Sequence, residues 1–80
     1  MATPSRFWFP CSKQFGIGVT AWTRDDAEKM AREILAKYYR GAEIVGIVEN
    51  IDVRALDQKH VVPNMGPVTF VGVWYPFLNL

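Results

Sequence analysis

Cys11 and His60 are the only thiol and the only imidazole in the chain. A thiol nucleophile needs a base beside it and a third group that orients the base. Asp57 and Asn64 flank His60 and are the candidates for that third role. No spacing in the sequence carries Cys11 to this cluster, and one Cys with one His lacks any recognisable metal-ligand interval. The sequence therefore assigns no catalytic residue, no metal ligand and no cofactor, and an enzyme ranks third among the functional readings.

Gly16-Ile17-Gly18-Val19-Thr20-Ala21 matches the Gly-x-Gly-x-x-Ala form of a dinucleotide fingerprint. That fingerprint works because its glycines form a turn and a helix starts inside it, with N–H groups aimed at pyrophosphate. Here the glycines alternate along a strand, and the following helix opens on two aspartates that repel phosphate. Packing explains them better: bare glycine faces leave room for neighbouring aromatics such as Trp8 or Trp74.

Aromatic side chains offer a different chemistry. With three Trp, five Phe and three Tyr in 80 residues, they make up a large share of what the chain can bury. Alternation in the strands cannot place Trp8, Trp22, Trp74 and Tyr75 all on one helix-covered face. These four are the candidate partner-binding residues. An open aromatic sheet face either stacks unpaired bases or is buried by protein. The first use comes with a basic surround, whereas Arg6, Lys13, Arg54 and Lys59 are scattered and the formal net charge is +1. The sequence thus favours protein contact.

The elements that position these residues follow from periodicity. Ala27, Met30, Ala31, Ile34, Leu35 and Tyr38 recur at helical spacing and predict one amphipathic helix over Arg24–Arg40. Thr23 suits the N-cap, Asp25 and Asp26 suit the positive end of the dipole, and Gly41 suits the stop. Acid-first pairs Asp25–Lys29, Glu28–Arg32 and Glu33–Lys37 line the wet face.

Four strands surround the helix in sequence. Arg6–Phe9 sets Phe7 and Phe9 against Trp8, and Pro10 ends it or marks a free edge. Phe15–Trp22 sets Ile17, Val19 and Ala21 against Gly16, Gly18, Thr20 and Trp22. Glu43–Asn50, running on towards Val53, pairs Ile44 with Val48 on one face and Val45 with Ile47 on the other. Val68–Tyr75 opposes Phe70 and Trp74 to Val71 and Val73. The fold class is α+β: a four-stranded, mainly antiparallel sheet with one helix packed on one face, in the order β-β-α-β-β. Two hairpins joined by the helix are the simplest topology, and strand order stays open.

The connection Arg54–Pro67 is long for a small domain. Asp52 suits the cap of a single turn running to Leu56, and the remainder lacks apolar periodicity, which predicts the most mobile internal segment. Asp57, His60, Asn64 and Met65 are its candidate ligand or partner residues, set against a plain connector held by Pro and Gly.

Residues 1–80 read as one small domain with residues 1–5 frayed. No apolar run reaches the ~20 residues of a membrane span, and one cysteine suits a reducing compartment, so the expected location is cytoplasmic. Because one helix covers one sheet face, the second face is expected to be buried by a copy of the chain. The functional expectation is an interaction module that forms a homodimer. Single-stranded nucleic-acid binding through the same face is the alternative, and a small enzyme or ligand binder using the 54–67 loop comes third.

Overall fold

The fold was analysed as a computed structural model, which describes residues 3–12, 16–56, 58, 61–62, 65–66, 69 and 71–76. Strands β1 (Ser5–Phe9) and β2 (Ile17–Ala21) precede helix α1 (Arg24–Tyr38). Strand β3 (Val48–Glu49), a 3-10 turn (Val53–Ala55) and strand β4 (Gly72–Tyr75) follow it. The sheet is antiparallel in the order β3-β1-β2-β4, and the helix packs chiefly on β2. The predicted α+β class is observed.

Strand order corrects the two-hairpin topology. β1 and β2 form a central hairpin, while β3 and β4 add to its opposite edges and do not pair with each other. The long connection between β3 and β4 therefore crosses the molecule.

Local signals place the helix ends well. Thr23 holds an extended conformation, and its Oγ1 accepts a hydrogen bond from the Asp26 N–H at 3.1 Å. This satisfies a donor that the first turn leaves without an intrahelical partner. At the other end Tyr39 leaves helical geometry and Gly41 takes a left-handed φ of 83°. Ala27, Ala31 and Ile34 are buried, with Met30 and Leu35 beside them. Tyr38, assigned to this stripe by its spacing, is instead 49% exposed. The helix stops there, and Tyr39 packs inward in its place, its hydroxyl donating to the Gly16 carbonyl at 3.1 Å.

Under the helix lies the first core, made by Phe7, Phe9, Ile17, Val19 and Ala21 with the helix stripe. The alternation predicted for β1 and β2 is observed there.

The third strand differs from its prediction, for a reason that lies in its partner. Regular pairing is confined to Val48 and Glu49, with a separate bridge between Cys11 and Ile44. From Cys11↔Ile44 to Trp8↔Val48 the chain takes three steps on β1 but four on its neighbour. One extra residue is thus accommodated between Ile44 and Val48, as in a bulge, and it reverses the alternation. Ile44 and Ile47 both reach the first core, while Val45 and Val48 are exposed. The predicted pairs Ile44 with Val48 and Val45 with Ile47 are corrected accordingly. Pro10 accepts from the Val45 N–H at 2.8 Å but has no N–H to return, so the ladder is interrupted opposite it.

A second bulge lies in β4. Val19 pairs with Val73 and Gly18 with Tyr75, so Trp74 is the additional residue. Strict alternation would part Trp74 from Tyr75. The bulge lets both pack on the face opposite the helix, while Val73 joins the first core. Val68 and Phe70, assigned to the start of this strand, lie outside the described residues, as does the 77–80 tail.

Candidate interaction surface

The face opposite the helix carries the aromatic residues singled out in the sequence, and the structure divides it in two. At one end Trp8, Trp74 and Tyr75 form a cluster. Ring centroids are 5.9 Å apart for Trp8–Trp74 and 5.7 Å for Trp8–Tyr75, within the range of favourable aromatic pairs. Glycine makes this possible. A Cβ on Gly16 would sit 2.6 Å from Trp8 Cζ2, and one on Gly18 would strike Cζ3, Cη2 and Cε3 of the Trp74 six-membered ring. The Gly-x-Gly pattern is therefore a bed for two indoles, as the strand reading suggested.

This end does not lie open. Leu56 and Val61 are buried against Trp8 and Trp74, with Ile51, Val62 and Met65 packed around them. Trp8 is 8% exposed and Trp74 only 1%. The Gly66 N–H donates to the Trp74 carbonyl at 2.7 Å, fastening the connection to β4. The expectation that a copy of the chain covers this face is thereby corrected at this end: the connection between β3 and β4 supplies the apolar cover. Its lack of a regular apolar period concealed that, because a docked loop has no period to keep. Trp74 Nε1 is buried with no hydrogen-bond partner among the described residues, a burial that costs about 1–3 kcal/mol.

The loop candidates separate. Met65 packs on this aromatic cluster, whereas Asp57, His60 and Asn64 lie outside the described residues. Asp52 caps the 3-10 turn as expected, its Oδ1 accepting from the Arg54 N–H at 2.9 Å. The Arg54 guanidinium also grips both carboxylate oxygens, with Nη2 at 2.8 Å from Oδ2 and Nε at 3.2 Å from each oxygen. These hydrogen bonds hold the Asp52 carboxyl down at about 2.

Cys11 is half-buried, its Sγ donates to the Phe9 carbonyl at 3.5 Å, and burial raises its pKa. A nucleophilic thiol requires the opposite shift. Burial likewise raises the Tyr39 pKa, with Tyr75 and Cys11 adding to the effect, and the hydroxyl donates to the Gly16 carbonyl. Among the described residues no three His, Cys, Asp or Glu side chains come together as a metal site.

At the other end of the sheet two large apolar side chains are exposed. Trp22 is 58% exposed just past β2, and Val71 is 46% exposed just before β4. The pairs Ser5↔Ala21 and Thr20↔Gly72 bring the start of β1, the end of β2 and the start of β4 side by side. Trp22, Pro4 and Val71 consequently share one end of the sheet. A cleft of about 370 Å3 opens there, lined among the described residues by Thr3, Pro4, Arg6 and Thr69. Arg6, on its wall, is held by Nε donating to the Ile51 carbonyl at 2.8 Å. The sequence marked Trp22 but not the cleft, whose lining residues are far apart in the chain.

A second cleft, of about 170 Å3, runs between the helix and the segment before β3. It is lined by Phe9, Arg24, Glu28, Arg32, Ile44, Gly46 and Ile47. It is below the usual size of a small-molecule site. Glu28 stands between the two arginines along the helix and pairs with Arg32 at 3.8 Å, which offsets part of their positive charge.

No protein-family model, curated protein or solved structure matches the chain. No helix among the described residues is long and apolar enough to cross a membrane.

Proposed function

We propose that the protein is a small interaction module that self-associates through the sheet face opposite the helix, at the end its own loop leaves uncovered. The exposure of Trp22, 58% of a large apolar side chain, carries this reading. Tryptophan is one of the residue types enriched where binding energy concentrates in protein interfaces. A net charge of +1 sets little repulsion between copies. Cys11 as the only cysteine suits a cytoplasmic setting.

The nucleic-acid reading uses the same face, but its stacking platform is reduced. Trp8 and Trp74 stack on each other beneath the loop, so among the described tryptophans a base would find only Trp22 exposed. Sedimentation of the whole chain across micromolar concentrations tests the proposal. A dimer is expected, and Trp22→Ser weakens it while leaving the melting temperature close to wild type. A species that stays near 9.1 kDa at the highest concentration refutes self-association.

A further inference from the structure

We infer that the self-contact is reciprocal: Trp22 of each copy enters the cleft lined by Thr3, Pro4, Arg6 and Thr69 of the other. This rests on the self-association proposed above and names the geometry of its contact. The first ground is placement. Pro4 lies one residue before Ser5 and Trp22 one residue after Ala21, and Ser5 and Ala21 are register partners. Projecting residue and cleft therefore sit at one end of the sheet. A contact in which each patch meets its own copy about a two-fold axis can then close with two such insertions and leaves no free end for a filament.

The second ground is fit. The cleft of about 370 Å3 falls in the range of cavities that enclose small ligands, which is enough for an indole. It is not filled by its own Trp22, which stands mostly in solvent. The third ground is chemistry. Arg6 has its Nε committed to the Ile51 carbonyl, which fixes the plane of the guanidinium at the cleft wall. A planar cation there attracts the face of an indole more strongly than that of any other side chain. Pro4 adds apolar surface, and the Thr3 and Thr69 hydroxyls can accept the indole N–H. An isolated acidic or basic partner finds less: Arg6 is the one charged residue among the described lining, and Asp52 lies close enough to feel it.

Cleft-filling and Trp-removing variants test this in the full-length chain. Thr69 is exposed, so Thr69→Phe fills the cleft without entering the core. Thr3→Phe fills it from the other wall and serves if the first variant melts early. Sedimentation equilibrium should show Trp22→Ser and the cleft-filled variant each weakening association at least about tenfold, the scale expected when a central contact is lost. An equimolar mixture of the two should associate more tightly than either alone, because one Trp22 still finds one open cleft. A wild-type dimer that tolerates both cleft-filling variants overturns the cleft assignment and leaves self-association standing. A monomeric wild type overturns both. Quenching of Trp22 emission by oligothymidylate in a monomeric chain overturns both in favour of nucleic acid.

Discussion

At Gly18 the absence of one methyl group decides how the second core packs. The Trp74 ring lies too close to Gly18 to leave room for a Cβ, and the neighbour it would strike is a buried indole with little room to turn. Gly18→Ala is therefore expected to cost ~1–3 kcal/mol, the usual range for overpacking, and to shift the near-ultraviolet circular dichroism of the tryptophans. A melting temperature equal to wild type would mean that Trp74 does not lie on β2. A second residue-scale test concerns Asp52. Its folded pKa, about 2, is below the ~3.9 of an unfolded aspartate, so its link to Arg54 favours the fold above that value. The contribution is lost as pH falls through about 2. Both side chains are exposed, so salt will screen the effect. In an NMR titration Arg54→Ala should return the Asp52 carboxyl towards its ordinary midpoint; an unchanged midpoint would show that the pair does not form in solution.

At the scale of elements, two different layers protect the two faces of one sheet. The helix covers one through Ala27, Ala31 and Ile34, and the connection between β3 and β4 covers part of the other through Leu56 and Val61. Both layers should carry stability if both are packed. Ile34→Ala and Leu56→Ala are each expected to cost ~2–5 kcal/mol in denaturant unfolding, against less than ~0.5 kcal/mol for exposed Arg32→Ala. A neutral Leu56→Ala would restore the mobile loop that the sequence suggests and reopen the aromatic cluster to partners. The bulges belong to this scale too. One extra residue before β3 and one in β4 set which side chains meet the helix, and each flips the parity of everything beyond it.

Across the whole molecule the three tryptophans report separate regions. Trp8 and Trp74 lie in the second core, while Trp22 stands exposed just past the end of β2. In dilute solution iodide should quench only the Trp22 share of the emission, and Trp22→Phe should leave a blue-shifted spectrum that iodide barely touches. Rising concentration should then protect Trp22 as the proposed dimer forms. Full quenching of all three would contradict the loop as a cover.

How much of this was legible in the sequence depends on how local each cause is. The helix could be read because its periodicity, the Thr23 cap and the Gly41 stop all act within a few residues. β1 and β2 could be read because a regular strand alternates, which put Phe7 and Phe9 opposite Trp8 and set the glycines of β2 beneath indoles. The α+β class followed from these elements. The tertiary structure decided what depends on partners distant in the chain. Pro10 interrupts the ladder that meets the segment before β3, and Gly18 receives the bulged Trp74; neither follows from the run of apolar residues alone. Nor could alternation show that Leu56 and Val61 would bury Trp8 and Trp74, because an irregular segment docks by shape and not by period. Trp22 escaped that cover only because the described apolar contacts of the loop gather at the other end of the sheet. A residue type can mark a tryptophan as a candidate contact, but its exposure is set by every segment that packs nearby.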